Sequence, residues 1–141
     1  NDAIWADGAR LGNADYADIT TRFVAASLEG WMHCRDNSAD CVEIVLNNGS
    51  SLGASHQAWQ MNEINGLIWP SPDGAGVMDE GLWAQTVDVA TSQGILASAP
   101  DSGAYTTEYA EAAVEMLKNR GVDTTGKNWR RVDVTLNPGG E

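Results

Sequence analysis

"GLIWPSPDGAGVMDEGLW", residues 66–83, holds two tryptophans, two prolines and four glycines in eighteen positions. It is either a loop that grips a ligand or a corner between two buried helices. What flanks it decides. Ahead of it, Ala58, Met61, Ile64, Leu67 and Ile68 recur at helical spacing from about Ala54, and Trp69-Pro70 stops that run. Behind it, Asp79 is an N-cap for a helix Glu80–Gln93, with Leu82, Trp83, Thr86, Val87 and Ala90 inward and Gly94 as the stop. The stretch therefore reads mainly as a helix–helix corner, with Trp83 packed inside and with Trp69 and Met78-Asp79 near the lip of a cleft.

Helical periodicity extends outward from there. A first helix is predicted from about Asp15, as N-cap, to Asp36, with Ile19, Phe23, Val24, Ser27, Leu28 and Trp31 on one face. Ser38 caps a short helix, Ala39–Leu46, that ends on Asn47-Asn48-Gly49 as a left-handed terminus. Thr106 or Thr107 opens a last helix to about Asn119, with Tyr109, Ala110, Ala113, Val114 and Leu117 inward. The two ends, "NDAIWADG" and "RRVDVTL" (130–136), read as short extended segments, the second with half-buried alternation at Val132, Val134 and Leu136. The division is an extended segment over 1–12, a helical region over 13–120, and a C-terminal strand and tail over 121–141. The class is mainly α: about five helices plus short terminal strands, too little sheet for an ordinary α/β domain.

The chain has 141 residues, one domain's worth, with a net charge of −12. Such a charge repels a phosphate backbone, so no nucleic-acid partner is expected, and the charge is read as a means of solubility rather than an acidic interaction surface. Asn1-Asp2-Ala3 opens without a basic or apolar leader, so a mature, processed or fragmentary chain is expected. Cys34 and Cys41 in "HCRDNSADC" suggest a disulfide across a tight helical corner and an extracytoplasmic compartment, with two free buried thiols as the alternative. The spacing of His33 and His56 argues against a zinc site, and no metal is expected.

Catalytic signatures are nearly absent. No G-x-S-x-G, H-E-x-x-H, P-loop or G-x-G-x-x-G occurs. "DGAGVMD" (73–79) is glycine-rich but follows a helix and carries no lysine, so it is not read as a phosphate cradle. His33 reads as structural rather than as a general base, and no catalytic residue or cofactor is assigned. The six tryptophans stand out against one phenylalanine. Indoles suit the sandwiching of a planar ligand. Trp31 and Trp83 read as core filling, whereas Trp5 and Trp69, at segment junctions, read equally well as core or as ligand contacts.

In order, "NDAIWADG", "ADITTRFVAASLEGW" (17–31), "HQAWQMNEINGLIWP" (56–70), "GVMDEGLWAQTVDVATSQGIL" (76–96) and "AYTTEYA" (104–110) resemble the C-terminal part of solute-binding proteins of ABC importers. The group is the NMT1/THI5-like one, which binds thiamine pyrimidine precursors, riboflavin and related small aromatics. The likeness runs from residue 1 to about 110. It departs at Ala17, where the group carries proline, and the cysteines are not a group signature. The resemblance implies the helix-rich C-terminal section of a two-lobe α/β fold of the type II periplasmic-binding-protein kind, with Asn1, Asp2 and Trp5 on a hinge strand. Asn1 and Asp2 would offer hydrogen bonds to the ligand and Trp5 a stacking face. It further implies a small planar ligand and an ABC permease as partners. The location would be periplasmic or extracellular, with a lipid anchor in the full-length precursor as one variant. Self-association through uncovered apolar faces is also expected. Fungal proteins of this fold use a histidine and pyridoxal phosphate to make the thiamine pyrimidine; neither Lys118 nor Lys127 stands out as a Schiff-base lysine here. An autonomous helical interaction module is the remaining alternative.

Overall fold

The computed structural model describes residues 3–49 and 51–141. Five α-helices follow in order: α1 (Ala14–Asp36), α2 (Ser38–Asn48), α3 (Ala54–Ile68), α4 (Glu80–Ser92) and α5 (Glu108–Asn119), with a 3-10 turn at Pro138–Gly140. Among the described residues no strand forms, so the expected terminal strands are corrected to irregular chain, with turns from Gly8 to Gly12 ahead of α1. A strand needs a neighbour to take its backbone hydrogen bonds, and none lies beside either end. At 130–136 only Val134 is half-buried, while Val132 and Leu136 are exposed.

The caps explain where the helices begin. Asn13, not Asp15, caps α1, its side-chain oxygen accepting from the Tyr16 N–H at 3.0 Å. Asp79 caps α4 as expected, accepting from the Leu82 N–H at 2.8 Å. Thr107 opens α5. α2 ends at Gly49 with φ −129°, extended rather than left-handed.

α1 packs along α5, α2 and α3 pack on each other, and α2 also touches α1. The core joins Val24, Ala25, Leu28 and Met32 of α1 to Ala113, Val114 and Leu117 of α5, with Trp69 and Ala75 of the 69–77 corner closing it. Burying each of the larger aliphatic side chains contributes ~1.5–3 kcal/mol. α1 thus buries a face rotated from the expected one: Val24 and Leu28 lie in the core and Trp31 packs against it as expected, while Ala25 and Met32 take the places expected of Ile19 and Phe23. Ile19 and Phe23 point outward, Phe23 at 61% exposure, and with Ala26 and Gly30 they form an exposed stripe opposite the core face. On α3, Leu67 is turned out at 84% exposure, and the fully buried residue is Asn65.

α4 buries no residue. Its inner side rests on the preceding loop of α5, where the rings of Trp83 and Tyr105 lie 4.7 Å apart; Leu82 and Thr86, expected inward, are exposed. Trp83, on α4, is accordingly a half-buried ring packed against Tyr105 of the loop and not a member of the core.

Candidate functional site

The corner of residues 69–77 is held in place by the loop after α5. The Ser71 N–H donates to the Thr125 carbonyl at 2.9 Å and the Ala75 N–H to the Thr124 carbonyl at 3.0 Å. The Trp69–Pro70 bond is cis. Gly74 (φ 112°) lies under Val114, where a β-carbon would come within 2.8 Å of a methyl group, so only glycine lets the corner sit against α5.

Trp69 is 3% exposed. Its indole N–H donates to the Asn65 side-chain oxygen at 3.1 Å, which explains how that asparagine tolerates full burial one helical turn earlier. The Arg35 guanidinium lies 4.7 Å from the Trp69 ring centre. Arg35 also donates from Nε and Nη2 to the two Asp36 carboxylate oxygens at 2.7 and 2.8 Å, and from Nη1 to the Asp123 carbonyl at 2.8 Å. The Asp36 hydrogen bond holds the Arg35 pKa above its ordinary value, against the opposing effect of burial. Asp123 Oδ1 accepts from the Thr125 N–H and hydroxyl and from the Gly126 N–H, at 2.9, 2.8 and 3.1 Å. The Thr125 N–H is the main cause that lowers the Asp123 carboxyl below the usual carboxylate value, with Arg35 adding to it. Thr124 Oγ1 is buried without a hydrogen-bond partner among the described residues. The node thus fastens three separate chain segments, and the side chains of Arg35, Asn65 and Asp123 are engaged in doing so.

The bridge Cys34–Cys41 forms, with Cα atoms 5.5 Å apart, and ties the end of α1 to α2 directly beside Arg35. The alternative of free thiols is thereby set aside. Disulfides persist in oxidising compartments, which fits a location outside the cytoplasm. Among the described residues no helix is long and apolar enough to cross a membrane.

The residues singled out for ligand contact fall in three settings. Asn1 and Asp2 lie outside the described residues. Trp5 is 87% exposed on the irregular chain before α1. Trp69 is inside the core, its N–H already used. Asp79 is at the exposed start of α4, engaged as its cap. Two open hollows lie elsewhere. One, of about 350 Å³, is lined by Asp73 and Val77 of the corner and by Glu111, Val114, Glu115 and Lys118 of α5. The other is lined by Arg10, Asn13, Tyr16 and Ile19, with the Arg10 guanidinium 4.2 Å from the Tyr16 ring centre.

Reading the sequence missed Arg35, Asn65 and Asp123. Asn65 stands four residues before Trp69, and Asp123-Thr124-Thr125-Gly126 carries the side-chain pattern of a turn closed by its own aspartate. Those local signals were present. The Arg35–Asp123 partnership spans 88 residues and leaves no periodic trace.

No family model, no curated protein and no solved structure matches the chain.

Proposed function

We propose that the chain is the helix-rich section of a solute-binding component of an ABC importer, working outside the cytoplasm and binding a small planar, heteroaromatic nutrient. The ordered motifs of residues 1–110 suggest this reading. The observation that carries it is α1, which has apolar side chains on two opposite faces, with only one of them covered by α5. A helix lying in the outer layer of an α/β lobe meets solvent on one side; a helix between a lobe's sheet and its helical layer is apolar on both. The two-lobe α/β fold supplies the cover that the Ile19–Phe23 face lacks. Trp5, the most exposed of these large apolar residues, offers a stacking face for the ligand.

Light scattering and a thermal melt with an apolar-surface dye test the first half. The expected result is self-association or a weakly cooperative melt with dye bound before unfolding. A cooperative, dye-free monomer would favour a self-sufficient helical module instead. Titration of thiamine, its aminopyrimidine moiety and riboflavin, followed by tryptophan fluorescence, tests the second. Weak saturable quenching, with a dissociation constant of about 1 mM, ~4 kcal/mol, is expected, and it should vanish in Trp5→Ala. Quenching that is unsaturable or indifferent to that change removes Trp5 from the site.

A further inference from the structure

The charge of this chain is not evenly spread. Between Asp36 and Leu117 there are twelve aspartates and glutamates and not one lysine or arginine, so this middle stretch alone carries a charge equal to that of the whole chain. α4 stands in the middle of it. The acidic residues nearest to it in sequence, Asp73, Asp79, Glu80, Asp88, Asp101 and Glu108, have no lysine or arginine among residues 73–108, and Lys118 of α5 shares a hollow with Asp73 alone of these six. The same helix is the one that packs least. It buries nothing, and Leu82 (63% exposed), Thr86 and Val89 form an outward row, with exposed Met78 ahead of it and exposed Ile95 beyond. The α-helical spacing of Leu82, Thr86 and Val89 puts them in one exposed row, roughly 100° round the helix from the half-buried row of Trp83, Val87 and Ala90.

We propose that the outer face of α4 is a docking surface for a separate protein that presents an apolar groove rimmed by lysine and arginine. Leu82 and Val89 are the apolar anchors, and Met78 and Ile95 extend the patch at its ends. The charge decides between occupants. A second copy of this chain would bring the same cation-free stretch against itself, and like charges facing across an interface oppose association. An anionic membrane surface is disfavoured for the same reason. A basic-rimmed groove gains attraction at the rim and apolar burial at the centre, the arrangement by which helices are commonly recognised. The inference parts from the reading of the negative charge as mere solubility. It goes beyond the proposed nutrient binding and holds whichever ligand is carried.

The probes are two fluorescein-labelled amphipathic helical peptides of equal length, one of leucine and lysine, the other of leucine and glutamate, read by fluorescence anisotropy at low and high salt. The leucine–lysine peptide is expected to bind saturably, at least tenfold more weakly at about 0.5 M salt, where screening reaches within a few ångströms. The leucine–glutamate peptide is expected not to bind. Leu82→Ser with Val89→Ser removes the anchors without touching the charge and is expected to weaken binding about tenfold, while Ile44→Ser, on exposed α2, leaves it unchanged. Both variants change exposed side chains, and circular dichroism confirms their fold. Binding that ignores the serine pair, or equal binding of the two peptides, or none of either, overturns the proposal. A dimer in light scattering that the serine pair dissolves would assign the face to a second copy and overturn it as well.

Discussion

A guanidinium 5% exposed at its side chain has to find partners for five N–H groups, and Arg35 does so with one adjacent carboxylate, one distant carbonyl and one indole face. Arg35→Met, of similar length, strands the Asp123 carbonyl and uncovers Trp69. A loss of ~2–3 kcal/mol is expected from the urea midpoint, the usual scale for losing charged hydrogen bonds in a buried setting. Asp123 gives the node a pH signature. Its folded pKa is depressed, so its contribution is present above the ordinary carboxylate value near 3.8 and is lost as pH falls through the folded value. Asp123→Asn should therefore lower the melting temperature at neutral pH and narrow its decline below about pH 4. Gly126, with φ +59°, stands where a β-carbon would lie 2.5 Å from the Trp69 ring. Gly126→Ala is expected to cost ~2 kcal/mol or more, from the left-handed backbone and the clash together, whereas Gly8→Ala, with nothing within 4 Å, should be silent in the same melts.

Among the elements, the helices were legible and their faces were not. Caps and stop residues lie next to the turns they end, which is why Asp79 marked α4, and Thr106 or Thr107 the start of α5, from the sequence alone. α1 carries apolar residues around much of its circumference, so periodicity could not tell Val24 and Met32 from Ile19 and Phe23; only the position of α5 does. Stability should follow the same contrast. Backbone amides in α4 are expected to exchange with deuterium well before those around Met32 or Leu117, because local opening is easiest where least is buried. The Cys34–Cys41 bridge closes a loop of separation seven. Its reduction is expected to lower stability by ~2–3 kcal/mol, seen as a lower melting temperature in reductant.

Over the whole molecule, the described chain buries the side of α1 that faces α5 and leaves the Ile19–Phe23 side exposed. The closed α1–α5 core with its fastened corner accounts for what holds the helices together, and on the proposed reading as part of a two-lobe solute binder the exposed Ile19–Phe23 face would pack against the rest of that fold. The corner of residues 66–83 is settled at this scale: a helix–helix junction locked by the 122–126 loop, with Trp69 inside it.

The C-terminal segment shows how little can hold an extended chain in place. Asn62 donates from its side-chain amide to the Val132 carbonyl and accepts from the Val132 N–H, at 3.0 and 3.1 Å, and Ser55 accepts from the Asn137 N–H. A carboxamide carries the same donor and acceptor as a peptide group, so α3 counterfeits, at a single rung, the edge of a neighbouring strand. The chain from Val132 to Asn137 is thereby moored to α3 at both of its ends without a sheet, so its position is inherited from the helix rather than from its own backbone.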